Sequence, residues 1–350
     1  DETPFQIGGD DPWTAWQSLK DASHDHHGLV AQMDLVERAL RALPDVLTGR
    51  RLATDVLFPD SSMGSVASVY ARNAVADHFN SVLCDALEAQ LRDRLDRDPG
   101  RRFRILEIGA GTGGTSAMVF ERLKPFEAAI EEYTYTDVSR AFLLHAEDHF
   151  AHVLYLRGRL FNVEQPPEAQ SMATGGYDVV IATNVLHATR NIRDTLRNAK
   201  ATLKRGGLLL INEITGFSLF THLTFGLLDG WWLFEDDALR IPGTPGLAPS
   251  AWRNVLRAEG FPIVHLPAEA LHALGQQVIV ALSDGVIFRT LGAPVTAVPA
   301  ERRPARTQSA AETATVSALM RTADTARDDD ARKDAWVRRT IVETIAAALR

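Results

Sequence analysis

Cysteine is nearly absent: the 350 residues hold one, Cys84, which excludes an intrachain disulfide and a cysteine-built zinc site. A basic surplus is absent as well. Lys plus Arg number 37 against 45 Asp plus Glu, a formal net charge of −8, whereas a nucleic-acid binder normally carries the opposite balance. No run of about 18 apolar residues occurs, so no helical membrane span is expected. The opening DETPFQIGGDDPW is acidic and has no apolar signal core. Aromatics vanish from Leu291 to Asp330, where Ala, Thr, Pro and Arg dominate, the composition of a linker. No internal repeat is found. What is present, 45% hydrophobic and 23% charged residues, suffices for a sizeable core. A cytoplasmic protein is expected.

The first hundred residues read as helical. LVAQMDLVERALRAL, stopping before Pro44, repeats apolar residues at three- and four-residue spacing, and Ser65 to Leu95 does the same. Asp98-Pro99-Gly100 breaks the second stretch. From Arg104 short apolar runs alternate with helical segments: FRILEIG, YTYTD, HVLYL, YDVVIAT, GGLLLINE, then FPIVHL and QQVIVAL. Such alternation predicts an α/β fold, a parallel sheet covered by helices on both faces. The expected division is a helical unit at 1–100, a core at 101–290 with an aromatic insertion at 214–250, a linker at 291–335 and a final helix at 336–350.

The strongest chemical signal is ILEIGAGTGGTS, Ile105 to Ser116. A strand runs into Gly109, Gly111 and Gly113, which permit a sharp turn and close approach of the backbone to a ligand. Two acids turn the reading away from a dinucleotide. Glu107, two positions before the first glycine, would repel a pyrophosphate but suits an amino group. Asp137, closing YTYTD, stands where an acid can bind ribose hydroxyls. Amino acid plus adenosine describes S-adenosylmethionine, with S-adenosylhomocysteine as product.

These segments, with YTYTDVSRAFL, VVIATNVLHATRNI, INEITG and TFGLLDGWWLFEDDALRIPGTPGL, make the chain resemble the embedded methyltransferase domains of polyketide synthases, particularly of trans-acyltransferase assembly lines. The resemblance runs from about Leu57 to about Gly285. It implies a class I S-adenosylmethionine-dependent, Rossmann-like methyltransferase core with an N-terminal helical lid. The implied substrate is an acyl chain on an acyl carrier protein, among neighbouring synthase domains, and the implied product an α-methylated β-ketoacyl thioester. It also implies cofactor contacts at Glu107, Gly109, Gly111, Asp137 and Phe161-Asn162. Asn162 departs from the family's acidic preference there, although an amide can both accept from and donate to adenine.

Removing an α-proton near neutral pH calls for a histidine base. His187 follows YDVVIAT and Glu213 ends GGLLLINE, so both should meet at the C-terminal edge of the sheet, the carboxylate fixing the tautomer. The resemblance assigns these two the catalytic dyad. Asn184 is a candidate to position substrate or the cofactor's methionine end. Trp231, Trp232 and Phe234 either line a dry acyl tunnel or pack between lid and core, and Tyr70 and Phe79 on the helical side are candidates to close over the cofactor. The cluster His24, His26, His27 has no matching ligands at standard spacing, and the run Glu235-Asp236-Asp237 falls inside the aromatic motif that carries the resemblance, so no metal is expected. Residues 336–350 resemble the opening helix of a carrier domain. Two rival functions stay open: an O-methyltransferase acting on a β-hydroxyacyl chain, and an inactive scaffolding domain.

Overall fold

A computed structural model describes residues 12–24, 27–58 and 74–287; Tyr70, His26, the expected linker at 291–335 and the tail at 336–350 lie outside the described residues. Three helices come first: α1 (Pro12–Ala22), α2 (His27–Leu47) and α3 (Ala53–Leu57). Helix α2 does not stop before Pro44 but carries it in its last turn, where the missing N–H removes only one ladder bond. Leu35 of α2 and Leu57 of α3 pack with Phe58, Phe220, Phe225 and Leu228, so these helices rest on the aromatic insertion.

Helix α4 (Ala74–Arg97) behaves differently. It ends just before Asp98, and Phe79, Val82, Leu83, Leu87 and Leu91 join one apolar cluster with strand residues Ile105, Val179 and Leu210. The last of the N-terminal helices is therefore a layer of the core, packed on the sheet. Cys84 is fully buried in this layer, which pushes its thiol up to about 12 and keeps it from acting as a nucleophile.

Strands and helices then alternate: β1 (Phe103–Ile108), α5 (Gly114–Leu123), β2 (Ile130–Asp137), α6 (Arg140–His149), β3 (Leu156–Leu160), β4 (Tyr177–Thr183), α7 (Ile192–Thr202) and β5 (Leu203–Ile214). Inside the insertion lies the short α8 (Leu219–Leu223), followed by α9 (Pro249–Ala258), β6 (Ile263–His265) and β7 (Gln276–Leu282). The sheet runs β3-β2-β1-β4-β5-β7-β6. The five strands β1 to β5 are parallel, but β7 is antiparallel to both neighbours, which corrects the expectation of an all-parallel sheet. Physically, the connection β6 to β7 is too short for a crossover helix, so β7 returns in the opposite direction.

One run is displaced. HVLYL, read as a strand, precedes β3, which is LRGRL and mostly exposed at the sheet edge. Val153 is buried instead in the core, and Tyr155 packs edge-on to Phe120. Apolarity there marks packing beneath a turn, not the strand itself.

Alternation along each strand splits the core in two. Ile105, Val179, Ile181, Leu208 and Leu210 face α4 and α5; Leu106, Ile108, Val180, Leu209 and Ile211 face the opposite way, with α7 and α9 residues Leu196 and Trp252. Among the described residues no helix is long and apolar enough to cross a membrane.

Candidate active site

The glycine turn joins β1 to α5 at the C-terminal edge of the sheet. Gly109, at φ 61°, faces the side chain of Val185, which a Cβ there would strike. A left-handed backbone and a close neighbour together require glycine. Gly111 has open space above it, with the nearest atom met by a Cβ being the Gly109 carbonyl oxygen at 4.0 Å. Gly113 is used differently: it leads into α5 with Phe150 and Tyr135 pressed over it. The turn is braced from β2, since Tyr135 donates to the Gly111 carbonyl at 2.7 Å and Thr136 to the Glu107 carbonyl at 2.6 Å.

Glu107 is buried beneath this turn. Its Oε2 accepts from the Ser116 hydroxyl at 2.6 Å and the Tyr133 hydroxyl at 2.7 Å, while no described residue donates to Oε1. Burial pushes the carboxyl up to about 7, the two hydroxyls working against the shift and the nearby Asp137 charge with it. The shift has a stability consequence. An acid whose folded-state value lies above its unfolded value keeps its proton when native and loses it when unfolded. Stability thus falls as pH rises from the ordinary carboxylate range toward 7. Without cofactor, Glu107→Gln is expected to unfold about 2–3 kcal/mol less readily than the parent at pH 8, an advantage that shrinks toward pH 5. Denaturant titrations at both pH values check this; an equal difference at both would show that Glu107 does not titrate between them.

Asp137 sits at the end of β2, where its carboxylate accepts from the N–H of Gly111 at 3.1 Å and of Ser139 at 2.8 Å. Burial raises its pKa, and those backbone bonds oppose the rise. Both acids read from the sequence therefore flank the glycine turn. The Phe161 ring does not: it is buried in the opposite core layer with Leu106 and Ile108, and its N–H donates to the Asp137 carbonyl at 3.1 Å. Asn162 turns its Oδ1 onto the Glu164 N–H at 2.9 Å. That local turn engages the oxygen expected to face adenine.

Strand β4 pairs Ala182 with Ile108, so Thr183 and Asn184 stand level with the glycine turn. Asn184 is left-handed at φ 50°, and its N–H donates to the Asn212 carbonyl at 2.8 Å. Three oxygens here, Thr183 Oγ1, Asn184 Oδ1 and Asn212 Oδ1, are buried with no partner among the described residues. Asn212 is held by its other atom, Nδ2 donating to Asn80 Oδ1 at 3.1 Å, which also accepts from Thr115 at 3.2 Å. Orphaned buried acceptors are costly and mark where an incoming donor completes the structure. Asn80, Thr115, Ser116, Tyr133 and Asn212 were missed by sequence reasoning. The alternation of YTYTD could have pointed to Tyr133, since it shares a face with Tyr135.

Past Asn184 the chain makes a tight turn carrying His187. The imidazole Nδ1 contacts Glu213 Oε2, and both side chains are buried. Glu213 Oε1 accepts in addition from the N–H groups of Val185 at 3.1 Å, Leu186 at 2.8 Å and His187 at 3.3 Å. One carboxylate thus orients both the ring and the turn that bears it. With Nδ1 donating to Glu213, the lone pair stands on Nε2. Val185 links the two halves, packed on Gly109 while its backbone is bound by Glu213.

The insertion reaches this turn through Trp231, whose ring meets His187 edge-on at 5.7 Å and 71°. The other two aromatics do not line the dyad. Trp232 is 50% exposed and donates to the Gly226 carbonyl, and Phe234 lies 5.6 Å beneath the Arg240 guanidinium. Trp232 closes a short 3-10 turn at Asp229–Trp232 and Phe234 packs onto Arg240, placements that residue type alone did not reveal. Glu235 pairs with Arg190 at 3.2 Å and Asp236 with Arg240 at 2.5 Å.

Similarity to known proteins bears on this arrangement. A family described as "Methyltransferase domain" matches residues 106–209, which hold the glycine turn, Asp137 and His187. The polyketide synthase PksR of Bacillus subtilis is 56% identical over 276 residues, 79% of this chain and 11% of that protein. The solved structure of the DszA carbon methyltransferase is 37% identical with TM-score 0.70, covering 78% of this chain and 70% of that one. The chain belongs to the methyltransferase domains of polyketide synthases. Its seven-stranded Rossmann-like core is that of an S-adenosylmethionine-dependent methyltransferase. The trans-methyltransferase CalH, solved in complex with SAH, is 29% identical with TM-score 0.62, covering 77% of this chain and 72% of that one. This domain spans about a tenth of the length of the curated synthases it matches. Its own residues fit the cofactor: buried acceptors for an ammonium, a carboxylate at the end of β2 for hydroxyls, and open backbone over Gly111 between them.

Proposed function

We propose that this domain is a C-methyltransferase that methylates the α-carbon of a β-ketoacyl thioester presented by an acyl carrier protein. The observation that carries the reading is the buried His187–Glu213 pair set against the glycine turn by Val185. Glu107, Asp137, Gly109 and Gly111 would hold S-adenosylmethionine, with the orphaned oxygens of Thr183, Asn184 and Asn212 beside its methionine end and Asn162 Nδ2 toward adenine. When bound, that cofactor supplies the electrophilic methyl group.

His187 Nε2 takes the α-proton, and the imidazolium so formed is stabilised by Glu213 through Nδ1. An α-proton between a ketone and a thioester is acidic enough for a neutral imidazole to remove. A β-hydroxyl is far less acidic and gives the same base little to work with, which favours carbon over oxygen. Trp231 covers the imidazole and keeps water from the reacting carbon. The names of DszA and CurJ, both carbon methyltransferases, support the same choice.

The reading extends to organisation. Helices α2 and α3, packed on the insertion, serve with α1 as the lid; residues 291–335 tether and 336–350 begin a carrier domain; and the whole works in the cytoplasm beside other synthase domains. A tether of that kind raises the local carrier concentration toward about millimolar.

Mass spectrometry after incubation with S-adenosylmethionine tests the reading on β-ketoacyl and β-hydroxyacyl groups, each on a carrier protein, as a pantetheine thioester and as a free acid. A methyl gain on the β-keto series alone, fastest on the carrier, is expected. Gain on the β-hydroxy series would establish O-methylation instead, and equal rates for all three forms would remove the carrier from the proposal.

A further inference from the structure

Arg240 sits in the insertion, 53 residues past His187 in the chain, yet its side chain is 1% exposed and wraps the catalytic turn. Nη1 donates to the His187 carbonyl at 2.8 Å and to the Pro245 carbonyl at 2.7 Å. Nη2 donates to the Thr189 carbonyl at 3.0 Å. Nε donates to Asp236 Oδ1 at 2.5 Å, and Asp236 Oδ2 in turn accepts the Ile192 N–H at 2.7 Å, at the start of α7. The Phe234 ring lies against the guanidinium at 5.6 Å.

A buried guanidinium is expensive unless its donors are satisfied, and a lysine could not reach three carbonyls at these angles. Its bonds fall on the same short turn that Glu213 holds, and on the opposite groups. Glu213 takes the N–H groups of residues 185 to 187; Arg240 takes the carbonyls of 187 and 189. His187 therefore belongs to a turn clamped by an anion from one side and a cation from the other.

We infer that Arg240 is a positioning residue for the His187 base, holding the turn so that the imidazole keeps its line to both Glu213 and the substrate carbon. This rests on the dyad reading above. It also gives the insertion a second role, because Asp236, Phe234 and Arg240 form a strut from the insertion to the base, distinct from the Trp231 cover. Movement of the insertion would then be felt at His187 through this strut.

The test compares Arg240→Lys with Asp236→Asn and with a His187→Gln control, measuring kcat, KM and cofactor affinity on a carrier-bound β-ketoacyl substrate. The downfield proton resonance of the His187–Glu213 hydrogen bond is followed in parallel. Arg240→Lys is expected to lower kcat about 10–100-fold with cofactor affinity and KM within about twofold, and to shift or broaden that resonance. Asp236→Asn, which keeps an acceptor for Ile192, should do the same more weakly and covers the case in which Arg240→Lys does not fold. Parent-like kcat and an unmoved resonance in folded Arg240→Lys, or in Asp236→Asn if only that variant folds, would overturn the inference while leaving the dyad intact. Full activity of His187→Gln would instead overturn the dyad, and the positioning role with it.

Discussion

Replacing His187 by alanine is expected to lower methyl transfer about 10²–10⁴-fold, the usual effect of deleting a general base, with S-adenosylmethionine affinity unchanged. The split follows from placement. His187 touches Glu213 and Trp231, whereas the groups proposed to hold the cofactor are Glu107, Asp137 and the glycines, with the oxygens of Thr183, Asn184 and Asn212 at its methionine end. Calorimetry and single-turnover transfer on the same preparation check both halves. A parent rate in the alanine variant would end the assignment of the base. Loss of cofactor binding together with rate would mean that the turn had collapsed onto Gly109 through Val185.

Glu213→Ala should be the most destabilising single change at this site. The side chain is wholly buried at the end of β5 and accepts three backbone N–H groups besides the imidazole. Removing it strands those donors where water does not reach, and a loss of about 3–5 kcal/mol is expected. Glu213→Gln keeps an oxygen for the backbone but loses the charge that steadies the imidazolium. It should retain much of the stability while losing most of the rate. Denaturant melts beside transfer assays separate the two roles. If the glutamine variant transferred methyl at the parent rate, Glu213 would be a strut for the turn and no partner in proton removal.

Much of the architecture was legible because its signals are local. Glycines at 109, 111 and 113 after an apolar run, and acids at 107 and 137, require only strand, turn and helix periodicity to interpret. The strands YDVVIAT and GGLLLINE are largely apolar because both faces are covered, and their ends brought His187 and Glu213 to one edge. Edge strand β3 was misplaced for the converse reason: a half-exposed strand has no apolar signature, and the apolar letters before it serve packing. The reversal of β7 was equally hidden, since direction depends on the length of the connection and not on the strand's own residues.

The site divides along the same line. Residue type and order by themselves determined that a glycine turn, an acid at the end of β2 and a histidine with a carboxylate share one sheet edge. Only the tertiary structure decided what surrounds them. Asn80 comes from a helix more than a hundred residues from Asn212, and Arg240 reaches back to a turn fifty residues earlier. Trp231 and Trp232 are adjacent in sequence, yet one meets the His187 ring and the other meets solvent. Periodicity constrains a residue to a face of its own element; which distant group meets that face is set by how the layers pack, and a hydrogen bond forms only once they have.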